Sequence, residues 1–324
     1  CTFFVEKVLS ENSFNTNALM LRGNQAVASK QFSRAIKDYE KVLDFKPDSW
    51  EALSNLSNSK SFICDWNGRD LEVKSLLNWN NKEEGKFGVF EVSGLYLDES
   101  GEFNNAIAKA EFFNKKIQLL RQKLDFSYVS KRGSLKRLGF LSSDLRNHAI
   151  GHQLISLLEN LDTEKHEIFI FATSPSEDSE IRKRFEGFGE NFRDISDLPL
   201  AAKARSIHHA NLDLLIDLGG FSRGHNAELL ALRSSPRQAH FLGYASTMGK
   251  GLVDYTIADR VVIPTSSSKF YGEKVIRMDG CFFPPGEFEG FAPRVKRKEV
   301  GLPSRGFVFC AFHAAYKLDP ETWA

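Results

Sequence analysis

Arg137-Leu138-Gly139-Phe140-Leu141-Ser142-Ser143-Asp144-Leu145-Arg146-Asn147-His148-Ala149-Ile150-Gly151-His152 is the stretch from which the fold is read. A short apolar run, Leu138–Leu141, ends in small polar residues. Asn147, His148, Gly151 and His152 come next, and then an apolar helical pattern. In an α/β protein that order is a first strand, the loop at its carboxyl end and the start of the next helix. Ligands of open α/β sheets bind at such ends. The chain before this stretch reads as a helical arm, and the chain after it as repeated strand–helix units.

Working forward, short apolar runs are expected as strands at Leu138–Leu141, Ile168–Ala172, Phe192–Ile195, Leu212–Leu218, Ala239–Leu242, Tyr255–Ala258, Val275–Met278 and Phe307–Phe312. Helical patterns lie between the early ones, at His152–Leu161, Ser179–Phe188, Leu200–Ala210 and His225–Leu232. This alternation argues for a doubly wound, largely parallel, Rossmann-like sheet over residues 135–300. Gly301-Leu302-Pro303 and the run after it are expected to open a second lobe, of which 301–324 is only the start.

Working backward, residues 64–134 are expected as a helical connector. It contains a short helix at Asp70–Asn78, an apolar stretch with glycine breaks at Phe87–Leu97 and a long helix at Asn104–Leu124. In the long helix Ile107, Phe112 and Ile117 are candidate core contacts, and a basic linker comes after it at Val129–Ser134. Residues 1–63 are helical. Leu19, Gly23 and Ala26 lie on one helix, Ala35, Tyr39 and Val42 on a second, and Pro47 stops it. Small residues at Gly23 and Ala35 allow a close antiparallel approach, so the pair resembles one tetratricopeptide repeat, whose period is about 34 residues. A lone repeat cannot bury its own face, and a further helix at Ser49–Ile63 is expected to begin the next one. The start at Cys1 and the stop at Ala324 suggest part of a longer protein.

Bulk properties exclude several classes. The 324 residues are 42% hydrophobic and 26% charged with net charge +1, so no global field favours nucleic acid or an anionic membrane. A basic cluster, Arg294–Lys298, reads as a solvated loop. Cys1, Cys64, Cys281 and Cys310 form neither a disulfide framework nor a metal knuckle, which fits a reducing, cytoplasmic setting. No apolar run approaches the roughly 20 residues needed to span a bilayer, and no signal peptide is visible.

Four junctions could carry chemistry. His148 and His152, four apart, have the spacing of a zinc pair on a helix. No Glu occupies the metalloprotease position and no third ligand is evident, so no metal is expected. His148, just past a strand end, is either functional or a loop histidine bonded to the backbone; His152 orients the loop from the first helical turn. Gly219-Gly220-Phe221-Ser222-Arg223-Gly224 comes after the strongest strand and permits tight turns and close approach of a ligand, but lacks the dinucleotide spacing. Asp217 there accepts from a ligand or anchors the loop. Leu242–Gly249, with Gly243, Tyr244, Thr247 and Gly249, suits a pocket wall. Lys317, after the last apolar run, either neutralises phosphate or is simply solvated.

Together these stretches resemble the protein O-linked N-acetylglucosaminyltransferases, glycosyltransferase family 41, and their SPINDLY relatives. The resemblance runs in order through Cys64-Asp65-Trp66, Arg137–His152, Asn226–Leu229, Ala231–Arg233 with Pro236, Leu242-Gly243-Tyr244, Asp254-Tyr255, Asp259, Pro264, Tyr271, Glu273-Lys274, Gly301–Pro303 and Tyr316–Pro320. It implies tetratricopeptide repeats before two α/β lobes with the active site between them. It also implies an inverting transfer of a sugar from a nucleotide to a Ser or Thr hydroxyl of a protein. The expected donor is UDP-N-acetylglucosamine, with no cofactor. GDP-fucose, or a glucosyl donor acting on Asn, is the alternative within the class.

By the resemblance, His148 lies at the sugar–acceptor junction as base or positioning residue, and Lys317 pairs with the leaving diphosphate. Asn147, His152, Asp217, Gly220, Gly243, Tyr244, Thr247 and Gly249 contribute to substrate binding, and the helical arm binds protein acceptors. Three positions depart from the family. Ala245-Ser246 replaces Pro-Gly, Phe221-Ser222 stands where many bacterial members have His-Thr, and Ala314 stands where animal members have Gln. These departures keep open a non-catalytic repeat scaffold with a degenerate transferase domain. The polypeptide alone is expected not to turn over. A Rossmann-type oxidoreductase is disfavoured by the missing glycine fingerprint.

Overall fold

The computed structural model describes residues 2–82, 98–128, 135–284, 294–310, 312–318 and 320–323. The stretch Phe87–Leu97, the linker Val129–Ser134 and Asp319 lie outside the described residues. The rest fall in two units, one drawn from 1–86 and 289–324, the other mainly from 97–288.

The sheet unit is organised around β1 (Lys136–Ser142). Its seven strands are all parallel, in the order β3-β2-β1-β4-β5-β6-β7. The other strands are β2 (His166–Ala172), β3 (Phe192–Asp194), β4 (Leu214–Asp217), β5 (Gln238–Phe241), β6 (Tyr255–Ala258) and β7 (Lys274–Arg277). The chain winds outward from β1 through β2 and β3, then returns to the other side of β1 at β4. The reversal therefore falls between β1 and β4, where Leu138–Leu141 pair with Leu214–Asp217. Such a switch point leaves a crevice outside the carboxyl ends of the strands.

Near-continuous apolar strands require cover on both faces. Five helices of this unit supply it: α6 (Glu99–Leu124), α7 (Ala149–Glu159), α8 (Glu180–Glu186), α9 (Leu200–His208) and α10 (Ala227–Ala231). One face packs Phe140, Ile168, Ile170 and Ile216 under Leu154, Ile155 and Leu158 of α7 and Ile181 and Phe185 of α8. The other packs Leu141, Phe169, Phe171 and Leu215 under α6, α9 and α10. On α6 the buried stripe is Ala106, Ala110, Phe113 and Ile117, the 3.6-residue face. Ile117 is where it was expected, but Phe113 rather than Phe112 is central and Ile107 is only half-buried. The expected connector is thus divided: α6 is part of the sheet unit, and α5 (Arg69–Lys82) of the helical one.

The helical unit contains α1 (Thr2–Glu11), α2 (Thr16–Ala28), α3 (Phe32–Phe45), α4 (Trp50–Phe62) and α5. Asn15 and Ser49 cap α2 and α4 by accepting the Ala18 and Ala52 N–H groups. Leu19, Gly23 and Ala26 face Ala35, Tyr39 and Val42, all buried, as their spacing predicts. A Cβ on Gly23 would stand 2.6 Å from the Tyr39 ring, so the close approach depends on that glycine. The strand expected at Phe307–Phe312 is not formed by the described residues. Phe307, Phe309 and Phe312 are exposed, and no described strand lies beside them to take their backbone hydrogen bonds. Among the described residues no helix is long and apolar enough to cross a membrane.

Candidate functional site

At the carboxyl end of β1, Ser142 accepts the Asp144 N–H through its Oγ and the chain turns into α7. His148 is the N-cap of that helix, in extended conformation, with Nδ1 accepting the Ile150 N–H at 3.3 Å. It therefore does not share a helical face with His152, and the zinc-pair geometry is not formed. His152 Nε2 instead meets Asn147 Oδ1 at 2.9 Å, and the Asn147 N–H donates to Glu177 Oε1 at 2.6 Å. Gly151 is dictated by this fold-back, since a Cβ there would stand 2.2 Å from the Arg146 carbonyl oxygen.

Asn147, His148 and His152 are exposed at the switch point. In the capping tautomer His148 keeps its proton on Nε2. In the other, Nδ1 carries the proton and faces Asp144 Oδ2 at 3.8 Å, leaving Nε2 bare. The same ring can thus cap the helix or, backed by a carboxylate, receive a proton.

The loop after β4 closes against this one: a Cβ on Gly224 would meet Ser143 Oγ at 3.0 Å. Asp217 is fully buried, and its Oδ2 accepts the Gly220 N–H at 2.7 Å. It is an anchor of the glycine loop and not an exposed acceptor. Gly220, at φ +55°, lies against Tyr244, where a Cβ would come within 2.5 Å of the tyrosine Cβ. Gly243 is pressed on the Leu218 carbonyl in the same way. The loops after β1, β4 and β5 therefore share one wall. Phe221 is turned inward among Phe113, His225 and Tyr244.

Thr247 and Gly249 are buried. Thr247 Oγ1 donates to Glu273 at 2.7 Å and accepts the Gly249 N–H, and Gly249, at φ +73°, packs on the Ala106 carbonyl of α6. Both form the base of the loop. Its exposed tip is Ala245-Ser246, where Ser246 donates to Glu102 Oε2 at 3.1 Å and the Tyr271 hydroxyl donates to the Ala245 carbonyl at 2.7 Å. Burial pushes the Glu102 carboxyl up, although the Ser246 hydrogen bond opposes it; nearby Glu99 adds to the rise. Burial likewise raises the Tyr271 hydroxyl.

Lys317 belongs to the helical unit. It is exposed on a short 3-10 turn, Ala315–Lys317, whose Tyr316 ring packs on Phe62 of α4. Sequence reasoning missed His240, buried in β5, and the carboxylates Glu273 and Glu102. For His240 the signal was a titratable side chain inside the run Gln238–Phe241, one strand away from Asp217. Among the described residues no group of three His, Cys, Asp or Glu is placed to hold a metal ion.

Comparison with known proteins adds four findings. A family model described as Glycosyl transferase family 41 matches residues 63–299. A probable UDP-N-acetylglucosamine–peptide N-acetylglucosaminyltransferase SEC of Arabidopsis thaliana is 32% identical over 207 residues, 60% of this chain and 21% of that protein. A UDP-N-acetylglucosamine–peptide N-acetylglucosaminyltransferase of Caenorhabditis elegans is 30% identical over 232 residues, 68% of this chain and 20% of that one. The chain thus spans about a fifth of the length of these curated relatives. A solved structure described as a mutant of the Thermobaculum terrenum O-GlcNAc transferase matches with TM-score 0.65 at 20% identity, over 91% of this chain and 57% of that chain. That likeness concerns the fold alone.

Proposed function

Because the chain belongs to glycosyl transferase family 41, we propose that its sheet unit is the first lobe of a nucleotide-sugar-dependent protein O-glycosyltransferase. The reaction is inverting transfer of N-acetylglucosamine from UDP-N-acetylglucosamine to Ser or Thr hydroxyls, in a reducing, cytoplasmic compartment. The observation that carries this reading is the exposed His148 at the switch point, with Asp144 behind its Nδ1.

An inverting displacement needs an activated acceptor hydroxyl, an oriented anomeric carbon and a stabilised leaving diphosphate. In the tautomer that has given up the cap, with Nδ1–H toward Asp144, His148 Nε2 takes or orients the acceptor proton, and the carboxylate stabilises the ring as it charges. Asn147 and His152 hold the shape of that loop. Gly220, Gly243 and Tyr244 form the adjoining wall, with Thr247 and Gly249 fixing its base. Lys317 neutralises the diphosphate, and the helical unit, read as tetratricopeptide-like, binds the protein acceptor. A fucosyl or glucosyl donor would use the same arrangement.

The inward Phe221 and the Ser246–Glu102 contact favour a second reading, a scaffold whose transferase domain is degenerate. Transfer from UDP-N-acetylglucosamine to a Ser/Thr peptide by the full-length protein separates the two. A transferase is expected to lose about 100- to 10,000-fold in rate on His148→Ala and most turnover on Lys317→Met, while partner binding survives. No transfer by the unmutated protein, with partner binding intact in all three, establishes the scaffold.

A further inference from the structure

His240 lies in β5 with no exposed surface, and both of its ring nitrogens face acceptors. Nε2 meets the Tyr244 carbonyl oxygen, which can only accept, so Nε2 carries a proton. Nδ1 stands 3.4 Å from Asp217 Oδ2, a charge contact and not a hydrogen bond, and has no hydrogen-bond partner among the described residues. A neutral imidazole with its proton on Nε2 would turn a bare nitrogen lone pair toward that carboxylate. Asp217 is equally buried, and among the described residues its Oδ1 has no hydrogen-bond partner, so its charge needs a counter-charge nearby.

The partners of the two side chains close a circuit. Asp217 Oδ2 holds the Gly220 N–H, Gly220 is pressed against Tyr244, and the Tyr244 carbonyl is held by His240. We infer that His240 is a buried imidazolium which, paired with Asp217, positions the loops 219–224 and 242–249 as one rigid wall of the site. The inference rests on the transferase reading only for what the wall is used for. The pair itself is a matter of geometry. Among the described residues the ionisable groups that face His240 are Asp217 at the end of β4, Glu273 at the head of β7 and the Tyr244 ring, edge-on at 5.9 Å; its neighbour on β6, Thr256, does not titrate. Burial is the largest single influence and opposes the charge, but the Asp217 carboxylate, the Tyr244 carbonyl and Glu273 together outweigh it and hold the imidazole above its ordinary value.

Nitrogen-15 NMR of the histidine-labelled 324-residue chain tests this directly. His240 is expected to be doubly protonated at pH 7.5, above the ordinary imidazole value of about 6.5. Amide protection in 219–224 and 242–249 is expected to fall together as pH rises through the His240 transition. Asp217→Asn keeps an acceptor for the Gly220 N–H but removes the charge. It is expected to neutralise His240 and reduce protection in both loops by about ten- to a hundredfold. His240→Gln is expected to reduce protection in both loops to the same extent, and the double variant no more than either single one.

A neutral His240 at pH 7.5 overturns the inference, as does a variant that loosens only its own loop. The wild-type titration decides even if the variants do not fold. Sugar transfer is read separately, on the full-length protein: an intact pair with no transfer there defeats the transferase reading alone, and a neutral His240 with transfer there defeats the pair alone.

Discussion

Glu273 accepts the Thr247 hydroxyl at 2.7 Å and, through the other oxygen of the same buried carboxylate, the Met248 N–H and the Thr256 hydroxyl. Three donors replace the water that the carboxylate gave up, and they fix the base of the loop whose tip is Ala245-Ser246. Glu273→Gln preserves shape but turns one acceptor oxygen into a donor that faces other donors. Urea unfolding is expected to show a loss of about 1–3 kcal/mol, and Thr247→Val, which removes one donor to Glu273 and the acceptor of the Gly249 and Gly272 N–H groups, is expected to cost a similar amount. An unchanged midpoint for Glu273→Gln would mean that the carboxylate does not hold the loop.

Gly151 makes the turn from β1 into α7 possible. A Cβ would stand 2.2 Å from the Arg146 oxygen and 3.0 Å from that of Asp144, both backbone atoms with no freedom to rotate away. Gly151→Ala is expected to displace the loop, break the His152–Asn147 contact and destabilise by about 1–3 kcal/mol. Gly219→Ala is the control, since its Cβ would meet only Ser222 Oγ at 3.7 Å. Thermal unfolding of the two variants, with the His152 resonance as a local reporter, should separate them clearly.

The sheet was legible because parallel strands buried on both faces read as apolar runs, and seven of the eight expected runs are strands. Phe307–Phe312 has the same composition, but a strand forms only beside a partner, and composition carries no information about partners. At the site, the position of His148 followed from strand order. The side chains that hold the loops did not, because Asp217–His240 and Thr247–Glu273 are paired across strands. Nothing local in the sequence announces a contact between residues 23 and 26 positions apart. His152 gave a partial signal, its distance from His148; that is a zinc-pair spacing without a third ligand, and the cap geometry takes His148 off the helical face that His152 is on.

Phe221 stands with 1% exposure among Phe113, His225 and Tyr244. An imidazole in its place would bring ring nitrogens into an apolar cluster and lose contact area. Phe221→His is therefore expected to lower stability by about 1–3 kcal/mol. Calorimetry checks it: an equal or higher melting temperature would mean that the cluster can accommodate the polar ring and that packing does not require phenylalanine at this position.

Asp259, just past β6, ties its loop to the segment after β7. Oδ1 accepts the Val261 and Val262 N–H groups, each at 2.8 Å, and Oδ2 accepts that of Phe282 at 2.9 Å. The Val262 N–H, then that of Phe282, hold the carboxyl below the ordinary range against the effect of burial, and the Val261 N–H adds to them. A folded value below the unfolded one of about 3.9 gives stabilisation that is complete above the unfolded value and lost as pH falls through the folded one. Asp259→Asn keeps one acceptor oxygen and cannot titrate. Asp162, Glu177 and Asp194 are also held low, so both proteins weaken in acid and the comparison isolates Asp259. Between pH 6 and pH 2, wild-type stability to urea is expected to fall more steeply than that of Asp259→Asn, the two curves converging at the acid end. Parallel curves would show that the three backbone bonds do not depend on the carboxylate's charge.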